Sequence, residues 1–253
     1  VWQVLPRMTW AFWRRPGGLD NAVRLHVALE VATGQVSAAQ LTRAKRCERA
    51  QWREFAQPGT CDIADRYYSY DYRQLADLQA AGTDFVVRLR IDTHWLEQSS
   101  ELLTAVDRAA GVAWASTVRL GKAGHGPRVR VVAILGEAET ILVATTLPAT
   151  DFPPEMIAHV YKHRWQVELF FRWLKCILGC RHWLAESEAG VALQVYLALI
   201  AAQLLVLYRG ERPHRRQMEA IQFYLMGWAT LDELLVTLRP PASAKHPAKS
   251  QKN

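Results

Sequence analysis

Apolar and polar residues alternate over residues 22–33 (AVRLHVALEVAT), the period of a half-buried β-strand. A second short strand is expected near residues 36–42. A polar helix is expected over 44–56, with Arg46, Arg49 and Arg53 on one side, most simply a solvated face. TCDIAD at 60–65 reads as a buried strand that ends in acid. SYDYRQLADLQAAG then reads as a helix closed by Gly82, and TDFVVRLR at 83–90 as another strand. Strand, helix, strand in this rhythm predicts an α/β core. Residues 92–110 are expected to be helical, and 116–120, 128–135 and 140–146 to be strands, the first two separated by GKAGHG. Pro148, Pro153 and Pro154 mark a boundary. Beyond it the pattern is helical over 155–180, 188–208, 216–228 and 230–239, with Thr230 as an N-cap. Residues 1–19, rich in Trp and broken by Pro6, Pro16, Gly17 and Gly18, are expected to be irregular. The tail RPPASAKHPAKSQKN has neither an acid nor a large apolar residue other than Pro and Ala, so it is expected to be disordered.

Composition narrows the classes. Half of the 253 residues are apolar, enough for a substantial core. The 31 Lys+Arg against 24 Asp+Glu leave a net charge of +7, which favours a polyanionic partner, nucleic acid or an anionic membrane. Cys47, Cys61, Cys176 and Cys180 include no CxxC pair, which points to reduced thiols. Cys176 and Cys180 stand four apart with His182 nearby, but a zinc site normally needs four ligands at set spacing. The apolar run 191–208 approaches membrane-spanning length. It contains Gln194, Tyr196 and Gln203 and has no basic cluster at its front, so a buried core helix is the preferred reading and no membrane partner is expected. The N-terminus lacks the basic start and cleavage site of a secretory signal.

The most informative segment is AHVYKHRWQVELFFRWLKCIL. Projected on one α-helix at about 100° per residue, Tyr161, Arg164, Trp165, Glu168, Arg172 and Lys175 form a single stripe. Val167, Phe170, Trp173, Leu174 and Ile177 fall on the other side. One glutamate is thus framed by three cations and two aromatic rings. Cations keep a carboxylate ionised, as a metal ligand must be, and can hold phosphate oxygens, while the rings can stack on bases. Helix geometry alone equally allows an exposed face with Arg164–Glu168 and Glu168–Arg172 ion pairs.

Tyr161, Arg164, Glu168 and Lys175 spell Y-x2-R-x3-E-x6-K, which resembles the signature of the insertion sequence 4 family of DDE transposases. Upstream, IADRYYSYDYRQLADLQAAGTDFVVRLR is similar to that family's segment around the second acid, where a strand ends in D-R-x-Y. Tyr67 stands where the family often has glycine. The likeness runs from about residue 20 to about 210. It implies that Asp65 and Glu168 are the second and third catalytic acids and metal ligands. It also implies that Tyr161, Arg164 and Lys175 contact DNA phosphates, with Trp165 and Arg172 beside them on the DNA-binding face. The implied fold is an α/β ribonuclease-H-like core over residues 1–90, with a β-strand-rich insertion over 91–150. A helical part carries the glutamate over 151–239, and 240–253 form a basic tail. The implied chemistry is DNA transposition of a bacterial insertion sequence by strand cleavage and transfer with Mg²⁺ or Mn²⁺. DNA, both transposon ends and target, is the implied partner, with a homodimer possible, in the bacterial cytoplasm at the nucleoid. The Y-x2-R-x3-E-x6-K spacing argues against other ribonuclease-H-like nucleases such as a junction resolvase.

The family's first aspartate has no counterpart here. VWQVLPRMTWAFWRRPGG holds no acid before Asp20, which is expected in a Gly-rich turn, and Asp62 should point to the sheet face opposite Asp65. The expectation is therefore an N-terminally truncated chain that lacks the first core strand. It would be inactive alone, with a DNA-binding remnant as the alternative function.

Overall fold

The computed structural model describes residues 2–5, 7–15, 18–178 and 183–240. In chain order, β1 (Trp2–Gln3), β2 (Phe12–Arg15), β3 (Gly18–Leu29) and β4 (Val36–Arg43) come first. They are followed by α1 (Glu48–Phe55), β5 (Cys61–Ala64), α2 (Tyr72–Ala80) and β6 (Asp84–Arg88). Next come β7 (Trp95–Ser100), α3 (Ala105–Ala109), β8 (Val112–Leu120), β9 (Arg128–Leu135) and β10 (Thr140–Thr145). Last are α4 (Pro154–Lys162), α5 (Trp165–Leu178), α6 (Glu188–Arg209), α7 (Arg215–Leu225) and α8 (Leu231–Leu238). The chain divides into two compact units, Val1–Arg46 with Val167–Asn253, and Cys47–Gln166.

In the first unit, β3 pairs antiparallel with β1, β2 and β4. Val23 and Leu25 of β3 pack with Phe170, Trp173 and Leu174 of α5 and with Val191, Val195, Ala202 and Val206 of α6. The buried positions of α6 recur at three- and four-residue steps, the spacing of one helical face. By length and composition alone α6 is apolar enough to cross a membrane. The buried core helix expected here is covered on one face only, since Leu193, Leu197, Ile200, Leu204 and Leu207 are exposed. Its polar residues are used locally. Gln203 Oε1 accepts from Val36 N–H at 2.9 Å, the Tyr196 hydroxyl accepts from Leu41 N–H at 3.1 Å, and Gln194 Oε1 accepts from Leu184 N–H at 3.1 Å. Two of these satisfy amides of β4.

In the second unit the strand order is β5-β6-β10-β9-β8-β7. Only the β5–β6 pairing is parallel, with α2 as its crossover. β9, RVRVVAIL, is nearly continuous in apolar residues because both faces of the sheet are covered. Val129, Val131 and Ala133 face Trp52 of α1 and Leu75 and Leu78 of α2. Val132 and Ile134 face Ile157, Ala158 and Tyr161 of α4. The result is a mixed sheet between two helical layers.

Several expectations change. Residues 1–19 are not wholly irregular, since they contain β1 and β2. Asp20, expected in a turn, lies within β3 opposite Trp13. Residues 92–110 are not one helix. Trp95–Ser100 form an edge strand, held by the Trp95–Trp114 ring contact at 6.2 Å and by Ser116 Oγ donating to Glu97 at 2.7 Å. Ladder pairing with β8 overrides local helix propensity there. Cys180, His182 and residues 241–253 lie outside the described residues, as does the side chain of Cys176.

Candidate active site

β5 places Asp65 at its C-terminal end, and alternation separates the two nearby acids. Asp62 turns to the α1 side, where its Oδ2 accepts from Trp52 Nε1 at 2.8 Å. Burial pushes the Asp62 carboxyl up, and the Trp52 hydrogen bond opposes that rise. Ile63 packs on the opposite side, in the α4 layer. Asp65 is half-buried, and its Oδ1 accepts from Tyr67 N–H at 2.7 Å, which closes a tight turn after the strand. One carboxylate oxygen thus organises the turn. Tyr68–Tyr70 form a 3₁₀ turn, and Asp71 caps α2 by accepting from Arg73 and Gln74 N–H. Gly82, at φ +78° past the end of α2, turns the chain into β6.

The glutamate segment departs from a single helix. α4 ends at Lys162, and the chain turns at His163 and Arg164 before α5 starts at Trp165. Arg164 N–H donates to the Tyr161 carbonyl at 3.0 Å, and Gln166 Nε2 is bonded to His163 Nδ1 at 2.7 Å. The six residues expected on one helical stripe therefore belong to two helices and a turn. The Tyr161 ring is not offered to solvent, being only 8% exposed and packed with Ile157 and Val86. Burial pushes its phenol up, Asp65 adds to the rise, and Arg164 and Arg88 act against it. Those four groups, Tyr161, Asp65, Arg164 and Arg88, are thus electrostatic neighbours although 96 positions separate Asp65 from Tyr161.

The remaining predicted residues lie on α5. The Arg164 guanidinium sits 5.4 Å from the Trp165 ring centroid, and Trp165 is 51% exposed. Glu168 is half-buried, and Arg172 and Lys175 are exposed. Phe170, Trp173 and Leu174 form the buried side of α5, as the pattern requires. No cluster of three His, Cys, Asp or Glu side chains able to hold a metal occurs among the described residues.

A family profile described as a transposase DDE domain matches residues 5–204. The chain belongs to this family. Among its relatives are y4zB of Sinorhizobium fredii and the protein of insertion element IS4SA from Synechocystis, both named as candidate transposases. The first is 35% identical over 112 residues, 43% of this chain and 30% of the relative. The second is 32% identical over 83 residues, 31% of this chain and 25% of the relative. The transposase for insertion sequence IS421 of Escherichia coli is 26% identical over 232 residues, 75% of this chain and 62% of the relative. The chain thus spans between 25% and 62% of the lengths of these relatives.

Within this DDE transposase domain, two supports for α4 escaped the sequence reading. Arg130 of β9 is 7% exposed. Its Nε and Nη2 donate to Glu101 at 2.8 Å each, and its Nη1 donates to the carbonyls of Leu147 and Phe152 at 3.0 and 2.9 Å. Asp107 caps α3 with Thr104, and its Oδ1 accepts from Glu155 N–H at 3.0 Å in the first turn of α4. Burial works against charge on Asp107, yet bonds from Glu155 and Thr104 hold its carboxyl at about 2. The available signal was a charge inside an apolar strand, Arg130 in RVRVVAIL, which applies equally to Arg88 in DFVVRLR.

Proposed function

We propose that this chain is the catalytic region of an insertion-sequence transposase that cuts and joins DNA phosphodiesters, with Asp65 and Glu168 as its acids. What supports the reading is the match to a transposase DDE domain over residues 5–204, together with Asp65 and Arg164 both acting on the phenol of Tyr161, the first residue of the Y-x2-R-x3-E-x6-K motif. In this reading Arg164 and Lys175 hold phosphate oxygens, Arg164 in the two-pronged manner of a guanidinium. Arg172 adds charge on the same helix, and Trp165 offers an exposed ring to a base. Buried Tyr161 stays protonated, so its hydroxyl can donate to a phosphate or to Asp65. Two carboxylates suit a hard, oxygen-ligated divalent ion, Mg²⁺ or Mn²⁺. When bound, such an ion polarises the phosphodiester and acidifies the attacking water or 3′-hydroxyl. Asp65 and Glu168 would hold it, and Arg164 and Lys175 would fix the phosphate for in-line attack.

The finer fold reading, a ribonuclease-H-like core, belongs to the same proposal. It is supported by the order of an antiparallel β3–β4 hairpin, the parallel β5–β6 pair with its α2 crossover, a β-rich stretch and then the glutamate helix. The partners proposed are transposon ends and target DNA, in the cytoplasm at the nucleoid. A homodimer is part of the reading. The exposed α6 residues Leu193, Leu197, Ile200, Leu204 and Leu207, spaced by fours and threes, support it, and sedimentation tests it.

A second reading is a DNA-binding remnant that uses the basic residues Arg164, Arg172 and Lys175 without cutting. One experiment separates the two. The purified 253-residue chain is incubated with labelled DNA bearing the element's ends and with Mg²⁺ or Mn²⁺. Metal-dependent cleavage is the outcome that supports the catalytic reading, and binding without cleavage supports the remnant. Cleavage abolished by Glu168→Gln would reveal a further acid, with Asp20 the first to replace. No DNA binding at any salt concentration would remove both readings.

A further inference from the structure

The turn that follows Asp65 presents more than an acid. A 3₁₀ turn repeats every three residues, so positions three apart point the same way. Here Tyr67 and Tyr70 come to one side, with ring centroids 6.1 Å apart and planes tilted by 57°. Tyr68 turns the other way and packs edge-on against Trp52 at 5.2 Å. One of the three rings therefore serves the core, and the other two remain 40% and 53% exposed. Arginines converge on this pair from other elements. Arg49 of α1 lies 5.4 Å from the Tyr67 ring and 6.0 Å from the Tyr70 ring, and Arg90, just after β6, lies 4.6 Å from Tyr70.

Tyr70 also borders an open cleft of about 370 Å³, together with Arg66, Arg88, Arg90, Asp92 and Glu139. Arg88 pairs there with Glu139, and Arg90 with Asp92. Arg66 makes no ion pair among the described residues, so its positive charge is left over for a ligand. Exposed aromatic faces interleaved with guanidiniums match the chemistry of an unstacked nucleotide: a π-face to cover and a phosphate to neutralise. A duplex keeps its base faces covered and could use only the charges.

We infer that Tyr67 and Tyr70, with Arg49, Arg66 and Arg90, form a binding surface for unpaired nucleotides, bases on the rings and phosphates on the guanidiniums. The inference rests on the reading of DNA as substrate. It adds a second DNA contact, two residues beyond Asp65, that handles single strand near the scissile phosphodiester.

The test uses the full chain, a fluorescent oligothymidylate and a duplex of equal length, with anisotropy measured over a range of salt. Tyr67→Ala with Tyr70→Ala should weaken oligothymidylate binding at least tenfold and leave both the salt slope and the duplex affinity unchanged. Tyr67→Phe with Tyr70→Phe should bind like the parent, which separates stacking from loss of fold. Arg66→Ala should weaken the same oligonucleotide and flatten its salt slope by about 0.7. Equal oligothymidylate affinity in the Ala pair and the parent overturns the inference. So does an equal loss in the Ala and Phe pairs. A parent chain that binds the duplex but not oligothymidylate also overturns it, leaving the transposase reading intact. A parent that binds neither DNA overturns both.

Discussion

Replacing Arg130 with Met should destabilise the second unit by more than any exposed ion pair could. The guanidinium makes four hydrogen bonds, two to Glu101 and one each to the Leu147 and Phe152 carbonyls. Its side chain is 8% exposed and that of Glu101 17%, so solvent replaces few of these bonds. The single variant strands a largely buried carboxylate and two carbonyls, a loss of about 3–5 kcal/mol. Removing both charges, Glu101→Leu with Arg130→Met, leaves only the carbonyls short and should cost about 1–3 kcal/mol. With a urea m-value near 2 kcal/mol/M, the single variant should lower the unfolding midpoint by about 1.5–2.5 M, followed by tryptophan fluorescence. Amide exchange should rise first in residues 147–162, because the lost bonds fix the approach to α4. A single variant within about 1 kcal/mol of the parent would refute this account. So would a double variant costing the sum of the two singles, since the pair would then not be coupled.

Acid should also loosen the start of α4. Asp107 is held at about 2 in the folded chain against an ordinary 3.8, while the same contact raises Glu155, so the Asp107 contribution, present above about pH 4 and lost as pH falls through 2, is partly offset by Glu155. Asp107→Asn should remove that limb of the acid unfolding profile, and an unchanged profile would exclude Asp107 as its cause. Arg164→Ala and Lys175→Ala should each weaken duplex binding for all sequences alike and lower the salt slope by about 0.9, measured by anisotropy. Unchanged slopes in both variants would favour the exposed ion-pair account of this helix.

Where the side-chain period was unambiguous, the sequence was a sufficient guide. β3, β4, β5, α2, β6, β9, β10 and α6 lie close to where alternation, helical spacing and Gly82 put them. The Thr230 cap forms as expected, with Glu233 completing the capping box. The failures have specific physical causes. WLEQSS is polar because β7 is an edge strand with most of its side chains in solvent, so it lacks the apolar signal of a buried strand. The break at His163 and Arg164 has no Gly or Pro to announce it, and a 3.6-residue projection runs through it undisturbed. The buried setting of Tyr161 was equally hidden, because only the packing of α4 on the sheet distinguishes it from an exposed ring. The position of Asp65 at the end of a strand was legible in TCDIAD, but its relation to Tyr161 depends on pairings remote in sequence.

The place of β5 at one end of its sheet bears on the order of folding. β8, β9 and β10 form a meander whose pairings close short loops, whereas β6 joins β10 only by bridging from Arg88 to Val143. Loop closure delays such remote contacts, so the meander should form early and β6 later. β5 has β6 as its partner in this sheet, and the short α2 crossover lets the two pair before β6 reaches β10, so they can join the meander together. The same hierarchy operates in reverse under native conditions, where local opening starts at lightly held strands. Asp65 therefore sits at the sheet edge whose attachment to the meander depends on the remote β6–β10 pairing, and DNA bound across that end would hold the edge closed.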